Sequence, residues 1–343
     1  MNDNNPKEII SPVVSYIFKK KVIKEEFLLA ATSFENAKQY WQSFPFKALI
    51  IYGQLLIAYR EVSSVLSKCR SFSEIAYKKI HKGNPYYWLG YSSFLLNNFE
   101  TAAFFMAEAA KEDLNLDKPN YPSPATDFIE LLGESENQAA KPIVEKTELK
   151  LNDLIQKYND YFQNHLNCPT IDIENIRDWF LRRATKTKGA ELQTLATTLI
   201  SYILEFEHCI DQWSLVDIPN SKEPFLLHLF KGCLLLESLL KENPIDPQIT
   251  PRITLGPILQ NLYSYLGIRQ DTSISVDNLQ EVINTLPGEE KSIQTAFEIS
   301  GKIRNTVGHS LGWVIDLTIE QYKKMFELIG ICCIHSIVSL YKK

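Results

Sequence analysis

Along nearly the whole 343-residue chain, apolar residues recur at i, i+3, i+4 and i+7, and no alternating run of useful strand length interrupts them. Residues spaced this way line one face of a helix but fall on both faces of a strand, so this feature alone predicts an all-α protein. Helices are expected near 8–20, 24–43, 45–68, 71–81, 85–96, 98–113, 124–133, 145–166, 172–185, 189–213, 223–242, 252–267, 276–285, 288–306 and 317–341. Pro45, Gly83-Asn84-Pro85, Asn243-Pro244 and Pro287-Gly288 punctuate them. With 45% hydrophobic and 22% charged residues, the chain has the apolar mass for ordinary cores, which excludes a disordered or low-complexity polymer.

The length suggests about two domains. Between Asn115 and Pro142 the chain collects Pro119, Pro122, Pro124 and Pro142 with the polar run Glu134 to Asn137. The expected division is a helical, repeat-like or interaction domain at 1–114, a Pro-rich linker at 115–145, and a second helical domain at 146–343 with its core from about 188. A short helix around Phe128 to Leu132 is compatible with that linker. Gly83 to Leu114 reads as helix, tight turn at Asn97-Asn98, helix, with small residues at Gly90, Ala102 and Ala109. The segment resembles one tetratricopeptide-type hairpin, a unit that docks protein partners. It departs from that pattern at Ser93 and Leu114, and three tandem copies are not found, so a generic αα-hairpin stands beside a repeat array.

Several function classes drop out. There are only 13 glycines and neither a GxGxxG nor a GxxxxGK[ST] string, which excludes the phosphate loops built on them. The six cysteines, at 69, 168, 209, 233, 332 and 333, form no CxxC pair and no zinc spacing with the histidines. Cys332 and Cys333 sit among Ile331, Ile334 and Ile337, as buried thiols of a core helix in a reducing compartment would. Ile9 to Phe18 carries Pro12 and meets Lys19-Lys20-Lys21, unlike a secretory signal. The apolar runs Leu226 to Leu240 and Phe326 to Leu340 fall short of the roughly 20 residues a bilayer needs. A cytoplasmic, soluble protein without a membrane partner is expected.

The net charge of −5 gives no global attraction for nucleic acid, so any polyanion must meet a local patch. Arg177, Arg182, Arg183, Lys186 and Lys188 against the single Asp178 make five minus one, or +4, and form a candidate RNA track. A solvated helix end is the alternative reading.

The string that carries chemistry is Ser300-Gly301-Lys302-Ile303-Arg304-Asn305-Thr306-Val307-Gly308-His309. It resembles the active-site motif of the HEPN superfamily, helical domains many of which are metal-independent endoribonucleases. The resemblance covers roughly Lys188 to Lys343 and implies catalytic roles for Arg304, Asn305 and His309, RNA as substrate, no metal, no cofactor, and a homodimer facing two copies of the motif across a two-fold. Stress or anti-phage defence is the family's usual setting. Ser310-Leu311-Gly312 follow the histidine where toxins silenced by a nucleotidyltransferase carry a tyrosine, so that mode of control is not implied.

The residue types suit the reaction independently of the name. Cleaving RNA without metal requires a group to take the 2′-hydroxyl proton, a group to protonate the leaving 5′-oxygen, and a cation on the phosphorane-like transition state. Histidine titrates near neutrality, and the planar guanidinium can hold two phosphate oxygens. On one helix Asn305 and His309 share a face, while Arg304 lies about 140° round from His309. Alternatively Arg304 and His309 serve a helix C-terminus that ends at Gly308, in a non-catalytic dimerisation or adaptor protein whose N-terminal half binds a partner. His228 and His335 lie in apolar surroundings as satisfied histidines, and Glu205, His208 and Asp211 read as a helix face. Glu237, inside the run Cys233 to Leu240, must reach solvent or find a partner, an arginine of the cleft being one choice.

Overall fold

Periodicity and structure agree: the computed structural model is all-α, with no strand among the described residues, which are 21–39, 45–72, 74–115, 123–133, 139–166, 170–186, 190–216, 219, 221–242, 255–266, 274–275, 277–286, 292–309 and 316–342. The helix expected at 8–20 and Lys188 lie outside them. The chain divides into two units, Met1–Pro142 and Ile143–Lys343.

The first unit contains α1 (Lys21–Gln39), α2 (Pro45–Phe72), α3 (Glu74–Lys79), α4 (Gly83–Leu95), α5 (Phe99–Leu114) and α6 (Pro124–Ile129). The α4–α5 hairpin is built on the expected small residues: a Cβ at Gly90 would stand 2.9 Å from Met106 Cγ and 3.2 Å from the Ala102 carbonyl oxygen. Ala102 and Ala109 are fully buried. Asn97 makes the turn with φ of 57°, a conformation asparagine tolerates, and the Asn98 side chain caps α5 by accepting from Thr101 N.

The expected linker is partly a structural element of this unit. Pro124 occupies the first turn of α6, where its missing donor costs nothing, and Ser123 and Thr126 form a capping box. Ala125, Phe128, Ile129 and Leu131 are buried, with the Phe128 ring 5.1 Å from that of Phe94. Ala140 N donates to the Tyr87 hydroxyl at 3.1 Å. The division between units falls at Pro142, inside the first turn of α7 (Lys141–Leu166).

The second unit continues with α8 (Ile173–Ile176), a π-helical turn (Arg177–Leu181), α9 (Arg182–Lys186), α10 (Ala190–Leu215), α11 (Glu223–Glu242), α12 (Leu255–Leu266), α13 (Leu279–Thr285), α14 (Ile293–His309) and α15 (Ile319–Tyr341). Its centre is α15, packed against α10, α11, α12 and α14. By length and composition α15 is apolar enough to cross a bilayer, yet 78% of its apolar window is buried, as befits a core helix. Cys332 and Cys333 are fully buried there.

Both core histidines are satisfied. His228 Nε2 donates to the Tyr202 carbonyl at 2.9 Å while Nδ1 accepts from the Tyr322 hydroxyl at 2.7 Å. His335 Nε2 donates to the Leu266 carbonyl at 2.6 Å, with the Tyr158 hydroxyl 3.4 Å from Nδ1. Burial lowers their pKa values to about 3 and about 4, so both are neutral.

Candidate active site

Helix α14 is held by a buried stripe of Ile293, Ala296, Ile299, Ser300, Ile303 and Val307 at helical spacing. That stripe fixes the rotation of the helix, leaving Arg304, Asn305 and Thr306 half-buried at its margin and Gly308 exposed. The helix runs unbroken to His309, three residues past its expected end. Gly308 is therefore a helical residue of the last turn, not a terminating one. His309 is placed as the last helical residue, and its side chain lies outside the described set.

Across from Arg304, α11 presents Glu237. Close approach of α11 to α10 requires Gly232, whose Cβ would collide with the Tyr202 ring at 2.4 Å. The Glu237 carboxylate is 6% exposed and accepts from Arg304 Nε at 2.7 Å through Oε2. Its Oε1 pairs with Lys241 one turn along the same helix. One buried carboxylate thus lies between two cations. Buried charge is tolerable in this form because the group is both paired and hydrogen-bonded. The Arg304 side chain is 21% exposed, and only Nε is held by a described residue, which leaves the paired terminal nitrogens of the guanidinium for an anion. Arg304 therefore does not cap its own helix; it reaches across to a carboxylate.

Beside this cluster α11 carries an open apolar strip. Leu227 and Leu234 are exposed and Phe230 half-buried, and a ring carbon of Phe230 stands 3.4 Å from where a Cβ on Gly308 would be. The Cys233 thiol lies near Arg304 but is fully buried, and burial pushes its pKa up, so it stays protonated. Among the described residues no three His, Cys, Asp or Glu side chains converge as metal ligands.

The structure gives the described members of the basic run different settings. Arg177 is buried, paired with Glu174 and, at 3.1 Å, with Glu148. Arg182 pairs with Asp178 and, at 3.0 Å, with Glu174 Oε2. Arg183 donates to the Tyr341 carbonyl at 3.2 Å, satisfying the end of α15 and lying over the Tyr341 ring. Lys186 is exposed. With Glu148 and Glu174 counted beside Asp178, the four described cations stand against three acids, or +1, and the three arginines brace the helices.

Glu237 was legible as a buried carboxylate in need of a partner. Lys241 and Phe230 were not singled out, although the Glu-to-Lys spacing of four on one helix was a usable signal for the first. No protein-family model, no curated protein and no solved structure matches this chain.

Proposed function

We propose that the second unit is a metal-independent endoribonuclease of HEPN type, working as a homodimer in a defence or stress response. The observation that carries this reading is the anchoring of Arg304 by Glu237 on the helix that also bears Asn305 and His309. Held at Nε, the guanidinium keeps its outer fork for a phosphate, as transition-state stabilisation requires. His309 takes the proton of the ribose 2′-hydroxyl or supplies one to the leaving 5′-oxygen. The 2′-oxygen attacks phosphorus, the bond to the 5′-oxygen breaks, and the products are a 2′,3′-cyclic phosphate and a 5′-hydroxyl end. One copy offers one such imidazole, so a second copy completes the acid–base pair. The apolar strip Leu227, Phe230 and Leu234 beside the motif is the surface on which that copy seats.

The test is cleavage of end-labelled single-stranded RNA in EDTA by wild type and His309→Ala, with analysis of product ends. Wild-type cleavage that leaves cyclic phosphate and is lost in His309→Ala is expected. Equal activity in both overturns the assignment, and silence in both transfers weight to the adaptor reading.

A further inference from the structure

Helix α2 is apolar on two opposite sides. Ala48, Ile51, Leu55, Leu66 and Cys69 are buried within the first unit, where α2 packs on α1 and α4. Facing away from them is a second stripe: Phe46 is 82% exposed, Leu49 and Ile50 63% each, and Ile57 59%. The segment Phe46–Ser71 is apolar enough by length and composition to cross a bilayer, and only 22% of its apolar window is buried. A helix apolar all round is normally covered all round, so an occupant for the outer stripe has to be found.

We propose that this occupant is a second copy of the chain, with two α2 helices pairing antiparallel across a two-fold at Gly53. The order of residues in the stripe carries the choice. Ile50 stands three residues before Gly53 and Leu56 three after; Leu49 and Ile57 stand four before and four after; Phe46 and Arg60 stand seven before and seven after. Reversed and laid on itself, the stripe sets Ile50 against the partner's Leu56 and Leu49 against the partner's Ile57. Phe46 meets the partner's Arg60, a pairing of aromatic face and guanidinium. A two-fold interface must be self-complementary, and this stripe is; a bilayer or an unrelated protein makes no such demand.

Gly53 sits at the crossing point, and a Cβ built there meets nothing within 4 Å in the single copy. Two helices crossing at a residue without a side chain approach near the lower end of the usual 8–10 Å. Size is adequate too. Phe46, Leu49, Ile50 and Ile57 together expose roughly 400 Å² of apolar side chain, from typical areas of such residues. That is about what the apolar share of a standard interface of ~800 Å² per partner requires. The pairing concerns the first unit alone and stands independently of the nuclease reading.

The experiment is oxidative cross-linking of full-length Gly53→Cys at about 10 μM, because a residue on a two-fold axis meets its own copy. Gln54→Cys, exposed but about 100° round the helix, is the comparison, and the wild-type chain gives the background of its own cysteines. Expected is a covalent dimer as the main product for Gly53→Cys, at least tenfold less for Gln54→Cys, and a similar loss when Ile50→Asp is added to Gly53→Cys. Equal cross-linking at 53 and 54 overturns the two-fold. Co-sedimentation of wild type with phosphatidylcholine–phosphatidylserine vesicles that Ile50→Asp abolishes, without a Gly53→Cys dimer, assigns the stripe to a membrane surface instead. If Ile50→Asp fails to fold by circular dichroism, the comparison of positions 53 and 54 still decides.

Discussion

Arg304 and Glu237 show what one buried carboxylate does for an arginine at the margin of a helix. An arginine side chain has about 2 kcal/mol of rotamer entropy to lose, and tying Nε to a rigid partner spends that before any substrate arrives. Lysine at 304 would supply charge without the fork, and alanine at 237 would leave Arg304 and Lys241 as neighbouring like charges. The sequence exposed half of this arrangement. Glu237 stood out because a carboxylate in a leucine-rich run has few ways to be satisfied, but its partner lies 67 residues away and is chosen by how α11 and α14 pack. The setting of the basic run was less legible for the complementary reason. Arg177 to Lys188 was weighed against Asp178 alone, while Glu174 lies just outside that window and Glu148 on another helix.

The buried histidines carry the residue-scale prediction. Their folded pKa values, about 3 for His228 and about 4 for His335, lie below the ordinary 6.5, so below pH 6.5 the unfolded chain takes up protons that the folded chain refuses. The stability they permit is therefore present above pH 6.5 and lost as the pH falls toward 4, at about 2 kcal/mol for each by pH 5. Thermal melts from pH 7.5 to 4.5 should show this fall, and His335→Gln should flatten it whatever it does to the melting temperature at neutral pH. A slope unchanged by His335→Gln would show that this imidazole titrates normally in the folded protein.

Elements were the most legible scale. The 3.6 period placed the described helices to within a few residues, because burying one face of a helix leaves its mark in every turn. Ends were less legible, since they depend on neighbours: α14 passes through Gly308, and α6, expected at 124–133, begins at Pro124 but stops at Ile129. Glycines make the dependence measurable. At Gly90 an added Cβ meets the Ala102 carbonyl oxygen at 3.2 Å, whereas at Gly301 it meets only Leu259 Cδ1 at 3.9 Å, an ordinary contact. Gly90→Ala should therefore destabilise by about 1–3 kcal/mol as α4 and α5 are forced apart. Gly301→Ala should stabilise by up to about 1 kcal/mol, because alanine is the better helix former. Urea unfolding of the two variants decides it: the same substitution, in two helix interiors, should shift the midpoint in opposite directions.

At the scale of the molecule, two faces of different design invite a second copy: a self-complementary stripe on α2 and an apolar strip beside the motif on α11 and α14. Neither could be recognised from period alone, because a helix apolar on two sides reads in sequence as an ordinary core helix. The proposed active site makes the second face testable through mixing. Purified Arg304→Ala carries His309 but no guanidinium at 304, and His309→Ala carries Arg304 but no imidazole at 309. Homodimers of either lack one component from both halves of the cleft, while a mixed dimer holds one arginine and one histidine. Random exchange of equal amounts places about half of the dimers in the mixed form. RNA cleavage in EDTA should then rise above the sum of the two variants measured apart yet stay well below wild type, because the mixed dimer regains the guanidinium but holds only one of the two imidazoles, with the gain growing with protein concentration as dimers form. Leu234→Asp in both chains, a charge on the exposed strip of α11, should remove the gain by blocking exchange. Activity that is merely additive, with wild-type activity per molecule constant on dilution, would show that one chain holds the complete site, and the acid–base partner of His309 would have to be sought within 143–343.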